Sequence, residues 1–246
     1  MTLERREIVA MEIAAPSTTV WHHVREPELV RRWYRWDSPE LDAQVAEVVG
    51  AHEAREGTMT HTLTWHNHDV LSISPSAEHP STTHLRITRS SHDLDGYDGV
   101  HDHRDALWVA AAEQLRFAVT THEGQPRRTL SAFGLDAGDR RDRLLDRAGL
   151  HGVRGVPLGG IVQARRPDGT LLGGTLLRKS EDLLVLRLHG VTESLLVLIE
   201  TPAASAPPHG TVGAVLSTYG LDDETFAEVQ ERWTGWWRAA LHAHLV

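Results

Sequence analysis

The stretch Glu12–Trp33, EIAAPSTTVWHHVREPELVRRW, puts Ala15-Pro16 after an alternating run, Val20-Trp21 inside a short helical pattern, and Pro27 ahead of Leu29 and Trp33. Just upstream, in Arg5–Ala14, Ile8, Ala10, Glu12 and Ala14 alternate with Val9, Met11 and Ile13, the period of a half-buried strand. Pro16 can open a helix where its missing N–H costs nothing, with Ser17 and Thr18 as candidate caps. Val20, Trp21 and Val24 share one helical face. Pro27 ends this helix, and Glu28–Trp36 reads as a second short one, with Leu29, Trp33 and Trp36 at i, i+4 and i+7. Trp21, Trp33 and Trp36 crowd this region. Packing accounts for Trp21 and Trp33: a buried indole removes about 150–250 Å² from water, several kcal/mol at about 25 cal/mol per Å².

Downstream, Ala43–Val49, Thr58–His66, Asp69–Ser74 and Thr82–Ser90 read as short strands. Along Met59–Asn67 one face carries His61, Leu63 and Trp65 and the other Thr60, Thr62 and Thr64, so the sheet has one buried and one wet side. Leu85 and Ile87 repeat the pattern. A helix follows at about Arg104–Val119, with Trp108 beside its apolar stripe. The turn-rich segment Thr121–Arg128 is the expected joint between two domains, 1–124 and 125–246. Past it the order recurs: strand Thr129–Phe133, short charged helix Arg140–Ala148, strands Ile161–Arg166, Leu171–Arg178, Leu183–Leu188, Ser194–Glu200 and Thr211–Tyr219. A long last helix runs from Glu224 to about His244. The element order implies an internal duplication. Gly173-Gly174 inside a strand reads as a bulge that bends the sheet.

This order is the helix-grip layout, and EIAAPSTTVWHHVREPELVRRW resembles the start of START-like (SRPBCC) domains. The branch it is most similar to comprises homologues of the heat-shock-protein ATPase activator's C-terminal domain. The resemblance rests on Ala15-Pro16, Val20-Trp21, Pro27, Leu29 and Trp33, and on Gly235-Trp236 in the Leu-rich tail. The second half lacks the Ala-Pro and Val-Trp pairs, so its first helical excursion is expected to be degraded or rearranged. The resemblance implies an α+β fold of tandem helix-grip (START-like) domains, each a curved antiparallel sheet around a long C-terminal helix with an apolar cavity between. It also implies a choice of roles. The leading one is non-catalytic or regulatory binding of a hydrophobic small molecule. The alternatives are a polyketide aromatase/cyclase-like enzyme and a chaperone-ATPase-activator-like protein-binding module.

Composition narrows these roles. The formal charge of −9 speaks against nucleic acid and against an anionic membrane surface. No run is long and apolar enough for a signal peptide or a membrane span, so cytoplasm is the expected location. The absence of cysteine removes disulfides, thiolate nucleophiles and Cys-ligated zinc. No cofactor is expected, and no phosphate loop, GxGxxG, nucleophile elbow or His-Glu-x-x-His is present.

The candidate ligand-binding residues follow from the helix-grip reading. They are Trp33, Tyr34 and Trp36 near the cavity mouth (with Arg35 between them), His61, Leu63, Trp65, Leu85 and Ile87 on the sheet, and Trp108, Trp233 and Trp237 on the long helices. His61 is either a satisfied core histidine or a cavity hydrogen-bonding group able to act as a base. Tyr34 and Arg86 are the other candidate proton movers if the chain is an enzyme. His66, His68 and Asp69 have metal-like spacing but sit in an apparent turn, as do His101, Asp102 and His103, so no metal is expected. The last helix bears Phe226, Val229, Trp233, Ala240 and one of Trp236 and Trp237 on its buried stripe, the other indole facing elsewhere. Strands Leu183–Leu188 and Leu195–Ile199 are apolar on both faces. Their outer face is expected to pack on the first unit, a protein partner or a homodimer mate.

Overall fold

β1 (Arg5–Ile13) pairs antiparallel not with the next strand in sequence but with the last strand of its unit, β5 (Thr83–Ser90), setting Val9 opposite Ile87 and Met11 opposite Leu85. The computed structural model describes residues 5–50, 53–90, 102–190 and 192–243. By its contacts the chain divides into units Met1–Gln125 and Pro126–Val246. The segment 91–101, with His101, lies outside the described residues.

In unit 1 the sheet order is β1-β5-β4-β3-β2, with β2 (Glu53–Glu56), β3 (His61–Thr64) and β4 (Val70–Pro75). Val9, Leu63, Leu71, Ile73, Leu85 and Ile87 are fully buried. The opposite face carries the Arg86–Glu7 pair at 2.8 Å and the exposed Ala10, Glu12 and His84. Helix α4 (His103–Thr121) closes the unit, capped by Asp102, whose carboxylate accepts the Asp105 N–H at 3.2 Å.

Between β1 and β2 lie α1 (Ser17–Arg25), α2 (Pro27–Val30) and α3 (Leu41–Val49). Three details differ from the sequence reading. Pro16 itself is the N-cap of α1, which has no side-chain cap bond, so neither Ser17 nor Thr18 serves. The second helix is a single turn; Pro27 starts it, and Trp33 lies past its end. Ala43–Val49 is helix rather than strand. Leu41, Val45 and Val48 stand at i, i+4 and i+7, Val45 and Val48 are buried, and the good helix formers Ala43, Gln44, Ala46 and Glu47 fill positions between them.

Unit 2 repeats the wrap. β6 (Arg127–Asp136) pairs with the last strand, β11 (Thr211–Tyr219), in a sheet ordered β6-β11-β10-β9-β8-β7. Its other strands are β7 (Ile161–Arg165), β8 (Leu171–Lys179), β9 (Leu183–His189) and β10 (Ser194–Thr201). In place of α1–α3 there is a π turn, Asp146–Leu150, and a 3₁₀ turn, Val153–Gly155. Gly149 (φ 85°) permits this, because a Cβ there would lie 2.0 Å from the Arg165 carbonyl. The bulge expected at Gly173-Gly174 falls instead between Leu176 and Arg178. Gly174 admits a close strand approach: a Cβ would lie 2.5 Å from the Arg187 carbonyl.

Helix α5 (Asp223–His242), capped by Asp222, packs Phe226, Trp233, Trp236, Trp237 and Ala240 into the unit 2 core. Both indoles of the Trp236-Trp237 pair are buried, stacked with centroids 5.0 Å apart. The second indole is therefore not turned out. Trp236 Nε1 donates to the Ala148 carbonyl at 2.8 Å, which ties α5 to the π turn. Leu184, Leu186, Leu196 and Leu198 join this core, and Leu183, Val185, Leu195 and Val197 on the alternate face are buried too. Each unit is thus an antiparallel sheet closed by its terminal helix, an α+β, tandem helix-grip architecture. Among the described residues no helix is long and apolar enough to cross a membrane.

Candidate functional site

Each unit holds a cavity bordered by its terminal helix, and the two differ in size and chemistry. The unit 1 cavity, about 90 Å³, lies where α3 and α4 meet the β3–β4 hairpin. The hairpin turn is the WHNHD segment. Trp65 N–H donates to the Asp69 carbonyl at 3.1 Å and His68 N–H to the Trp65 carbonyl at 2.9 Å, with His68 left-handed at φ 63°. This turn delivers Asp69 inward, fully buried. The Asp69 carboxylate accepts from Arg89 Nε at 3.0 Å, Trp108 Nε1 at 2.8 Å and Asn67 Nδ2 at 2.9 Å. Arg89, equally buried, also donates to Asp102 at 2.8 Å and Asp105 at 2.7 Å, and Arg6 binds the same two carboxylates from outside.

Burial pushes the Asp69 carboxyl above the usual aspartate range, opposed by the Trp108 and Arg89 bonds. Burial also works against the Arg89 charge, yet the bonds and charges of Asp105, Asp69 and Asp102 hold its pKa above the ordinary arginine value. Aromatic rings complete the wall. Trp65 and Trp108 lie 5.1 Å apart and Tyr34 and Trp108 6.3 Å apart, and Trp65 Nε1 is fixed on the Val48 carbonyl at 3.0 Å. Arg35 also lines the cavity. It sits at φ 54°, a region few non-glycine residues adopt, with its guanidinium over Tyr34 (5.4 Å) and Trp36 (5.8 Å).

The unit 2 cavity is about 180 Å³. Its walls are Leu172, Leu188 and Leu216 from the sheet and Val229, Trp233 and Trp236 from α5. Around this apolar body stand Arg166, His189 and Arg232. Arg166 comes from the β7–β8 turn. Asp168 braces that turn by accepting the Thr170 N–H at 2.9 Å, and Gly169 takes φ 82°. Arg166 Nη2 donates to Asp168 at 2.6 Å and to the Arg232 carbonyl at 2.7 Å, while the guanidinium lies over Trp236 at 4.9 Å. Burial, helped by the neighbouring Arg232 charge and opposed by Asp168, leaves the Arg166 pKa below the usual arginine value. His189 is tied to Thr175 Oγ1 at 3.2 Å and lies 3.6 Å from Glu193. A cavity of roughly 150 Å³ lined by apolar side chains holds benzene, so this one has room for one or two fused rings.

The structure brings Tyr34, Trp65 and Trp108 together at the unit 1 cavity and sets Trp233 in the wall of the unit 2 cavity. The other candidate residues lie elsewhere. Trp33 is fully buried, its Nε1 bonded to the His23 carbonyl at 2.8 Å. Trp36 is half-buried under Arg35, and Leu63, Leu85 and Ile87 are core residues. His61 stacks on Trp21 at 4.9 Å with a buried Nδ1 that has no hydrogen-bond partner among the described residues, and it lines neither cavity. Trp237 sits behind Trp236, which takes the wall position. Among the described residues no three His, Asp or Glu side chains gather as a metal site.

Sequence reasoning passed over Asn67, Arg104, Arg166, His189, Arg232 and the wall leucines Leu172 and Leu216. Two of these carried a signal. Leu216 continues the inward phase of Val212 and Ala214, and Arg232 stands beside Trp233 on the predicted last helix.

No family model matches the chain, and no curated protein sequence does. Among solved structures it is similar to the di-domain ARO/CYC StfQ from the steffimycin biosynthetic pathway, at 12% identity and a TM-score of 0.36 over 97% of this chain and 96% of that one. The di-domain ARO/CYC BexL from the BE-7585A biosynthetic pathway is 13% identical, with a TM-score of 0.31 over 97% of this chain and 96% of that one. DynU16, encoded in the dynemicin biosynthetic locus, is 14% identical, with a TM-score of 0.30 over 96% of each chain.

Proposed function

We propose that this chain binds a small, flat, hydrophobic molecule in the unit 2 cavity, as a carrier or regulator rather than by transforming it. The observation that carries this reading is the 180 Å³ space walled by leucines and two tryptophans. Burying both faces of a flat ring there removes apolar surface from water at about 25 cal/mol per Å². The polar groups stand around the apolar body and can fix orientation. The test is a titration with 2-naphthamide, a neutral two-ring probe, followed by tryptophan fluorescence. Wild type is expected to respond saturably, and Leu216→Trp, which fills the space, to lose the response. A saturable response unchanged in Leu216→Trp would put the probe elsewhere and sink the assignment.

A second reading, an aromatase/cyclase-like enzyme, is favoured by one feature of unit 1: Asp69, its carboxyl pushed up by burial, shares a cavity with Tyr34 and Arg104. It calls for turnover of a poly-ketone substrate that Tyr34→Phe abolishes while the fold persists. The protein-binding reading drawn from the activator resemblance rests on sequence alone.

A further inference from the structure

We infer that the molecule held in the unit 2 cavity carries an anionic group, of carboxylate type, which docks beside Arg166; this rests on the binding reading above. The charge pattern is the first observation. The chain has 34 acidic against 25 basic residues, so an arbitrary patch of its surface is more often acidic. Yet among the described residues the ionisable ones lining this cavity are Arg166, Arg232 and His189, with no aspartate or glutamate. The carboxylates that balance these cations, Asp168, Glu228 and Glu193, are not part of the lining. A concave apolar site edged by one sign of charge concentrates the opposite sign.

The second observation is the state of Arg166. Its side chain is nine-tenths buried (10% exposed), and its Nε is buried with no hydrogen-bond partner among the described residues. Of its donors, Nη2 is taken by Asp168 and the Arg232 carbonyl. A buried guanidinium with an unmet donor and a second arginine close by lacks an acceptor. A carboxylate suits this site because both Nη2 hydrogens are taken while the Nε–H is unmet, so one carboxylate oxygen can accept a charge-assisted bond there, and stacking on Trp236 fixes the guanidinium plane. The rings of the same molecule would then lie against Trp233 and Leu216, giving an amphipathic aromatic or alicyclic acid one or two rings wide.

The experiment compares 2-naphthoate with 2-naphthamide, which share rings and shape and differ in charge. Wild type is expected to bind the acid about 10-fold more tightly than the amide, the size of one added charged hydrogen bond. That preference should shrink as salt rises. In Arg166→Met the two affinities should converge, the acid losing more than the amide, and Arg166→Lys should retain part of the preference. Equal affinities in wild type, or a preference that survives Arg166→Met, would overturn the anion assignment and leave the cavity reading standing. Binding of neither probe would overturn the cavity reading itself, and this inference with it. Melting curves of each variant show whether it is folded; if Arg166→Met is not, the wild-type ratio and the Arg166→Lys ratio decide.

Discussion

Arg89 and Thr218 occupy equivalent places: each is the next-to-last residue of the strand that pairs with the first strand of its unit, Arg89 opposite Arg6 and Thr218 opposite Arg128. The flanking ion pairs also correspond. Arg6 reaches Asp102 at the start of α4 at 2.7 Å, and Arg128 reaches Asp223 at the start of α5 at 2.7 Å. What differs is the side chain under the helix. In unit 1 a buried guanidinium gathers Asp69, Asp102 and Asp105 and leaves about 90 Å³. In unit 2 a threonine bonds back to the Arg128 carbonyl at 2.9 Å and lines about 180 Å³. The same wrap thus spends its interior on a salt-bridge network in one copy and on open apolar space in the other.

The largest expected effect breaks the network. Arg89→Met leaves three carboxylates around an apolar side chain, and removing one partner of a buried ion pair costs about 3–5 kcal/mol. Urea unfolding should show that loss in wild type against variant, with much of it recovered when Asp69→Leu is added, since an apolar replacement of both partners is close to neutral. A loss under about 1 kcal/mol would mean that the network is not what fills unit 1. Next in size is the exchange in the other direction. Thr218→Arg places a long cation in the unit 2 cavity, and 2-naphthamide affinity should fall about 10-fold or more as the space is lost. Thr218→Val, close in volume, should keep it. Unchanged affinity in Thr218→Arg would show that this position does not control the cavity.

How much of this contrast could be read from sequence depends on the element. Period-2 runs such as Val9, Met11, Ile13 announced the strands because one face is buried, and the long tryptophan-bearing tail announced α5. Ala43–Val49 misled because short apolar runs satisfy both periods; only the spacing of Leu41, Val45 and Val48 favours a helix. Arg89 was legible in principle, since it stands in phase with the inward Leu85 and Ile87, and a charge in an inward phase must find partners. Those partners were not legible. Asp69 arrives through a left-handed turn at His68, and Asp102 and Asp105 stand more than ten positions further along the chain, so no local pattern joins them to Arg89. Arg166 was hidden for a similar reason: a residue of the RPDG turn carries no periodic signal, and its burial is set by Trp236, seventy positions on.

The smallest effect separates the units by pH. In unit 2, Asp168, Asp136 and Asp222 all sit below the usual aspartate value. For Asp168 burial opposes ionisation, but the Thr170 bonds and Arg166 outweigh it; for Asp136 the Gly138 N–H and His209 act, and for Asp222 the Thr225 N–H. A carboxyl depressed in the fold contributes stability above its unfolded pKa of about 3.9 and loses it as pH falls through the folded value. The three contributions therefore share one sign. In unit 1, Asp102 is depressed, the bonds from Arg89 outweighing its burial, but Asp69 is raised by burial and takes up its proton earlier in the fold, so these two oppose each other. Hydrogen exchange read peptide by peptide at about pH 5, 4 and 3 should show protection in β11 and α5 declining before that in β5 and α4. Loss of protection in unit 1 first would mean that Asp69 shares the ion pair fully with Arg89 and titrates low, which would make the unit 1 network a larger source of stability than its burial allows.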